Sequence, residues 1–432
     1  MAGPDEVAEH PRSYYAASAH PAPARPPLQG DVRADVCVVG AGYSGLSVAL
    51  ELADRGFQVI VLEAARVGWG ASGRNGGQLV NGFSRDLDVI EARYGQEAAL
   101  ALAGVLMEGG EIIRERVERY RIRCDLKPTN VFAAYTDKQM VAFEEQIARW
   151  QRHGIHSLEL LDREALQRHV TAPVYIGGLI DHRGGHLHPL NLALGEAAAL
   201  ESLGGVIHEQ SRVVAIEQDR KEAIARTANG SVRAPSLVLC GNAYLGNLMP
   251  ALASRVMPAG TQILATEPLG EARARALIPS DTCVEDANFV LDYFRLSADH
   301  RLLFGGGTVY GGARLEDLVA RLRPRLAKVF PDLGEVRIDF AWSGNIALTL
   351  TRIPDLGRLG KHVYFTHGYS GHGVTATHLC GRLVAEAVAG DASRFDVFAN
   401  LRHYAFPGGR LFRVPLTALG AWWYGLRDRL GV

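Results

Sequence analysis

The chain has 432 residues, a length that suggests two or three domains. Hydrophobic residues make up 47% and charged residues 22%, which excludes general disorder. Lys+Arg number 46 against 47 Asp+Glu, so neither a basic surface for nucleic acid nor an acidic solvating tail is expected.

Residues 1–29 hold six of the 19 prolines and read as an extended N-terminal arm. Asp35 to Val39 is a short β-rich run that leads into Gly40-Ala41-Gly42-Tyr43-Ser44-Gly45. A helix follows from Leu46 to Arg55 and stops at Gly56. Val59 to Leu62 is a second apolar strand, ending at Glu63. Continuous apolar strands around a helix make a βαβ unit in a parallel sheet covered on both faces. Residues 87–121 and 138–170 look helical, as does Leu190 to Leu203. Short strands are expected around 206–217, 223–233 and 236–240. Between 257 and 313, strands at Thr261–Thr266, Val290–Leu296 and Leu302–Phe304 are broken by glycines, which suggests a second, mostly antiparallel domain. Leu315–Phe330 is helical, Val363–Thr366 is a strand, and Val374 to Ala389 is a helix. The late apolar run Val414 to Leu426 is 13 residues, too short to span a bilayer, and is read as a packed terminal helix.

The five cysteines are odd in number, scattered and without a CxxC pair, so a disulfide framework and a zinc site are not expected and a reducing, cytoplasmic setting is. Asp181, His182, His186 and His188 look like loose ligands, but no second cluster completes a metal site. The charge run Glu111, Arg114, Glu115, Arg116 and Glu118 reads as a solvated helix face.

Three glycine-rich segments carry the chemistry. In Gly40-x-Gly42-x-x-Gly45 the first glycine makes the tight turn, the second admits a pyrophosphate, and the third lets helix and strand pack closely. The helix start, at Tyr43 and Ser44, then offers N–H groups and a positive dipole to phosphate. Glu63 stands 18 residues past Gly45, where a carboxylate accepts from ribose hydroxyls and repels a 2′-phosphate. A dinucleotide other than NADP is therefore expected. Six glycines between Gly68 and Gly82, with Gly70, Ser72, Asn75, Gly76 and Gln78 among the residues there, suit a chain lying along a long extended ligand, which favours FAD over NAD. Gly368 to Val374 repeats the strand–glycine–helix pattern. A helix start at Gly371, His372, Gly373 and Val374 would stabilise the negative charge of a reduced flavin, with His372 as a further donor.

Taken together, these segments resemble the D-amino-acid-oxidase-like family of FAD-dependent amine oxidoreductases, the group that includes sarcosine oxidase and glycine oxidase. The resemblance is carried by Ser13 to Ala19, Gly70 to Asn81, Gly184 to Asn191, Gly241 to Gly246, Gly368 to Thr375 and Phe406 to Arg410. It implies an α/β fold: a discontinuous Rossmann-like FAD-binding domain at 30–88, 172–246 and 339–405, and a mainly antiparallel β-sheet substrate domain with helices at 89–171 and 247–338. A C-terminal helical extension would cover 406–432. It also implies flavin contacts from Ala64, Gly241 and Gly344 of Trp342-Ser343-Gly344, and adenine contact from Val213 or Val214.

Two departures from sarcosine oxidases stand out. No Cys precedes Pro354-Asp355, so FAD is expected to be noncovalent. No Lys lies on Leu302-Leu303-Phe304, where relatives activate oxygen, so the electron acceptor, oxygen or another, stays open.

The implied reaction is oxidation of a primary amine by hydride transfer to the flavin, with hydrolysis of the imine to aldehyde and ammonia. The resemblance points to a γ-glutamyl-capped diamine as the small-molecule substrate; alternatives are a sarcosine- or glycine-type amino acid and a non-catalytic nucleotide-binding protein. Tyr293 and Arg295 share a strand face that could line the pocket, and Arg352 lies close in sequence to the family's active-site segment. Either Arg suits a substrate carboxylate. No Ser-His-Asp or paired-carboxylate arrangement names a general base.

Overall fold

The computed structural model describes residues 9–246, 248–307 and 315–407, together with 415 and 419. The mixed α/β architecture expected from the sequence is present as three sheets.

The first is a six-stranded sheet in the order Asp355–Leu359, Val363–His367, Ser236–Leu239, Val36–Val39, Val59–Leu62, Val206–His208. All its pairs are parallel except the first, which is antiparallel. Alternate residues of the central strands enter two different cores. Val36, Val38, Val59, Val61 and Val238 pack with the helices Tyr43–Asp54 and Gly373–Val388. Cys37, Val39, Leu62, Leu237 and Leu239 pack against a second, four-stranded sheet. That sheet has the order Gly30–Arg33, Gly230–Ala234, Ala223–Arg226, Ala215–Gln218. A strand buried on both faces is apolar throughout, which is why these strands read as unbroken hydrophobic runs. The ion network Arg116–Glu196–His378, buried at every member, ties the helix Gly373–Val388 to its neighbours.

The third is a nine-stranded sheet. Its path runs Ile338–Leu348, Met257–Thr266, Leu302–Gly306, Asp292–Leu296, Cys283–Asp286, Lys127–Ala134, Gly177–His186, Gln78–Leu79, and Leu158–Asp162 pairs with Gly177–His186. Only the pair Cys283–Asp286 with Lys127–Ala134 is parallel. The helix Leu315–Val329 covers one face, through Leu318, Leu322 and Leu326.

Several local expectations are corrected. The arm is not wholly extended: Tyr14–Ser18 is a helical turn capped by Ser13, whose Oγ accepts from the Ala16 N–H at 3.1 Å, and Tyr14 and Tyr15 are buried. The stretch 87–121 is three helices, Leu87–Tyr94, Gln96–Gly104 and Glu108–Arg119, the first two parted at Gly95, whose φ is +88°. Within 138–170, Leu158–Asp162 is a strand, which pairs antiparallel with Gly177–His186. Gly177–His186 and Ile338–Leu348, assigned from sequence to the cofactor-binding segments, pair in the nine-stranded sheet. Most of the segment 406–432, with its expected terminal helix, lies outside the described residues. No helix among the described residues is long and apolar enough to cross a membrane.

Candidate active site

Two adjoining cavities meet where the six- and nine-stranded sheets come together. The smaller, about 200 Å³, is walled by Gly40, Gly42, Tyr43 and Ser44, by Glu63 and Ala64, by Gly70, Ser72 and Asn75, and by Val213, Gly241, Gly371, Gly373 and Val374. The larger, about 730 Å³, is reached through shared walls at Asn75, Ile346, Ser370, Gly371 and Val374. Gly76, Gln78, Tyr293, Arg352 and His372 line it. The three glycine-rich segments thus meet in one continuous trough.

The trough's chemistry follows from local geometry. Glu63 ends a parallel strand, and its carboxylate is fixed by two backbone donors: Ala41 N–H to Oε2 and Ala65 N–H to Oε1, both at 2.8 Å. Burial pushes its pKa up, and these two amides oppose the rise. At the helix start, Ser72 Oγ accepts from Tyr43 N–H at 2.9 Å, and a Cβ on Gly42 would sit 2.8 Å from that oxygen. Gly45 does not line the cavity; a Cβ there would overlap the Gly40 carbonyl oxygen, so its role is the close helix–strand approach. Asn75 folds the next segment on itself, its Nδ2 donating to Ala71 O and Ser72 O while its Oδ1 accepts from Gly77 N–H. Arg74 lies over the Trp69 ring at 4.2 Å, and its Nε donates to Trp69 O.

The third segment turns at Gly371, φ +102°, a conformation that favours glycine. His372 follows as the residue before the helix Gly373–Val388. Its imidazole faces both the large cavity and a small one of about 70 Å³ behind it. Burial lowers its pKa to about 4, so the ring is neutral at pH 7, and its buried Nδ1 has no hydrogen-bond partner. A fixed carboxylate, a glycine-cradled helix start and an unpartnered imidazole nitrogen are a donor and acceptor set that fits FAD.

Of the candidate substrate residues, Tyr293 and Arg352 face the large cavity. Burial pushes the Tyr293 pKa up, so the phenol stays protonated. Arg352 has a left-handed φ of +62°. Such strain in a non-glycine residue persists only where the surroundings hold it. Arg295 is elsewhere. It is 2% exposed and lines neither cavity. Its Nε donates to Gly76 O at 2.7 Å, its Nη1 to Leu296 O and its Nη2 to Tyr15 Oη. The residue expected to greet substrate instead clamps the 76–77 loop to the arm. Val214 is exposed while Val213 lines the smaller cavity, and Gly344 packs against Arg74 without lining either.

Sequence reasoning missed Glu285, Arg85, Phe289 and Leu350 in the large cavity and Trp69, Arg212, Asn242 and Tyr244 in the smaller. Glu285 stands in the strand Cys283–Asp286 beside a second carboxylate, Asp286, and its place opposite Tyr293 comes from the strand register.

Comparison with known proteins gives the chain a family. The family model for DAO, FAD dependent oxidoreductase, matches residues 35–387. The chain is 56% identical over 427 residues to gamma-glutamylputrescine oxidoreductase of Escherichia coli, covering 99% of this chain and all of that one. It is 42% identical to a probable oxidoreductase, OrdL, of Haemophilus influenzae over 98% of both chains. Among solved structures, glycine oxidase from Geobacillus kaustophilus superposes with a TM-score of 0.72 at 23% identity, over 87% of this chain and 100% of that one, a likeness of fold. With its trough, its fixed Glu63 and a family match across most of its length, the chain belongs to the DAO family of FAD-dependent oxidoreductases.

Proposed function

We propose that this enzyme oxidises the terminal amine of a γ-glutamyl-capped diamine, giving the γ-glutamylamino aldehyde and ammonia, as a step in putrescine breakdown in the cytoplasm. The observation that carries the reading is the 56% identity, end to end, with the gamma-glutamylputrescine oxidoreductase of E. coli. The cavity's chemistry supports it. Val290, Leu291, Ile346, Leu348 and Leu350 offer apolar wall to a chain of methylenes. Arg352 offers a guanidinium for a carboxylate at the capped end. Five buried, unpaired cysteines suit a reducing compartment.

Bound FAD supplies the two-electron acceptor for the hydride that leaves the carbon bearing the amine. The chain's part is to hold that cofactor and to orient the amine. Glu63 would hold the ribose end, the start of the helix Tyr43–Asp54 would hold the phosphates, and the start of Gly373–Val388 would stabilise negative charge on the reduced flavin. His372 stays neutral beside the reacting space. Tyr293, protonated, forms part of the floor.

The experiment is a comparison of kcat/KM for γ-glutamylputrescine, putrescine, sarcosine and glycine. The capped compound is expected to lead clearly; putrescine or glycine equal to it overturns the reading. Running the assay in air and under argon with an artificial acceptor separates oxidase from dehydrogenase.

Two further outcomes are expected. FAD should leave with acid precipitation, all of the yellow colour staying in the supernatant. Ala347 to Ile353 contains no Cys, and Cys240, the one described thiol that lines either cavity, is raised far above the ordinary thiol range by burial. Colour on the precipitated protein would contradict this. His372→Ala should slow flavin reduction by about 100-fold in anaerobic stopped-flow while the amine's Kd changes little, since a preorganised donor acts most on charge that develops in the transition state. An unchanged rate constant would make His372 a turn residue only.

A further inference from the structure

We propose that Glu285 is the counter-ion of the substrate's reacting amine and takes its proton as the amine enters the cavity, an inference that rests on the amine-oxidation reading above.

The large cavity is electrically asymmetric. Among its described lining residues, Glu285 is the only carboxylate, and Arg85 and Arg352 are the only guanidinium groups. Glu285 is 7% exposed, whereas Arg352 is half-buried and Arg85 exposed. The negative end is therefore inside and the positive end towards solvent. A substrate with an ammonium at one end and a carboxylate at the other can enter in one direction only, amine first.

Glu285 is also placed to meet the amine. It sits on Cys283–Asp286 directly opposite Tyr293 on Asp292–Leu296, and opposed residues of an antiparallel pair share a face. Asp286 and Asp292 lie on the other face, where Asp292 pairs with Arg325.

The carboxylate itself is poorly served by the protein. Among the described residues its one side-chain hydrogen bond comes from Asn130 Nδ2 at a long 3.4 Å, and it makes no ion pair. A buried charge without a partner is costly, and an arriving ammonium would relieve that cost. Around it stand Asn130 from Lys127–Ala134, Cys283 from the same face of its own strand, Tyr293 from the next, and Arg85, Arg352 and His372 around the cavity, with Asp286 behind it on the opposite face. Burial, with a smaller push from Asp286, raises its pKa to about 7. A carboxyl group that favours its neutral form accepts a proton readily.

The step is a proton transfer alone. R–CH2–NH3+ and –COO− become R–CH2–NH2 and –COOH. The net charge of the pair stays at zero, no bond to carbon changes and no electrons move. The product pair is neutral, the arrangement a dry cavity tolerates best. The freed nitrogen lone pair is then available to assist departure of the hydride.

The test is Glu285→Gln, which keeps size and polarity, with Glu285→Asp as a second variant. In the wild type, kcat/KM should rise with pH through an acid limb near 7, because below it the carboxyl is already protonated and cannot accept. Glu285→Gln should lose that limb and about 100-fold in kcat/KM at pH 7.5. Glu285→Asp should keep the limb at a reduced rate. Binding of γ-glutamylputrescine is compared with that of γ-glutamylpentylamide, which carries CH3 in place of NH3+. The wild type should prefer the amine, and Glu285→Gln should not. If Glu285→Gln fails to hold flavin, the Asp variant and the wild-type pH profile decide: no limb near 7 in either overturns the proposal. An unchanged limb and an unchanged amine-over-methyl preference in Glu285→Gln also overturn it. Should the capped diamine prove not to be the substrate, the same pair of measurements is made on whichever amine is oxidised, so that failure of the substrate reading and failure of the Glu285 role give different results.

Discussion

Glu63→Arg should yield a folded chain that no longer retains FAD. The wild-type carboxylate is held by the Ala41 and Ala65 amides on the wall of the smaller cavity. An arginine there offers only donors where the backbone already presents donors, and it fills space meant for the ribose. Glu209, the carboxylate whose charge acts on Glu63, is already bound by Arg66 and Val67 N–H, with Arg25 at 3.6 Å. Loss of one charge-assisted hydrogen bond costs about 1.5–3 kcal/mol, a factor of about ten to a hundred in affinity, before the steric term is added. Flavin absorbance per chain after gel filtration is the measurement, with circular dichroism to show that the chain is folded. Glu63→Gln, which keeps shape and loses charge, should fall between. Full occupancy in Glu63→Arg would remove the βαβ unit from the cofactor site.

What could be read from the sequence, and what could not, divides along a physical line. Gly40, Gly42, Gly45 and Glu63 were legible because each answers a local requirement of backbone approach or of one hydrogen-bonding end, fixed by spacing along a single βαβ unit. The segment 68–82 was legible for the same reason. Period-two reasoning put Tyr293 and Arg295 on one strand face, and the register agrees. That periodicity gives a face but no depth. Along this face Tyr293 reaches the cavity, while Gly76 and Gly77 lie across Arg295 and the arm's Tyr15 closes over it. Which residue of a face stays open depends on a loop more than 200 residues earlier in sequence, and no local pattern carries that. Glu285 was missed for a related reason: between Asp281 and Asp286 it reads as one more surface charge. Only the sheet order, which sets Cys283–Asp286 between Asp292–Leu296 and Lys127–Ala134, makes it an interior residue. The misread strand Leu158–Asp162 and the doubled candidate Val213 or Val214 are the same problem at smaller scale, a partner in space deciding what propensity leaves open.

Gly45→Ala should have the other large effect, and it separates packing from ligand contact. Gly45 touches no cavity, yet an added Cβ would overlap the Gly40 carbonyl oxygen and come within 3.2 Å of Val38 Cγ1. The turn below cannot give way. Gly40 has φ +107°, its N–H donates to Leu62 O at 2.8 Å, and a Cβ on Gly40 itself would lie 3.1 Å from Cys240 O. The helix Tyr43–Asp54 must therefore lift off the strand Val36–Val39 at its first turn, carrying the Tyr43 amide away from Ser72 and the cavity wall. Overpacking of this kind costs about 1–3 kcal/mol in stability, and it displaces the donors on which phosphate binding depends. Lowered melting temperature together with lost flavin is the expected result. Gly104→Ala is the control, because that position ends the helix Gln96–Gly104, has ordinary φ and finds nothing within 4 Å of an added Cβ. There the same chemical change should be neutral or stabilise by up to about 1 kcal/mol, with flavin content unchanged. If Gly45→Ala melts and binds flavin as Gly104→Ala does, close helix–strand contact is not what the third glycine of the motif provides.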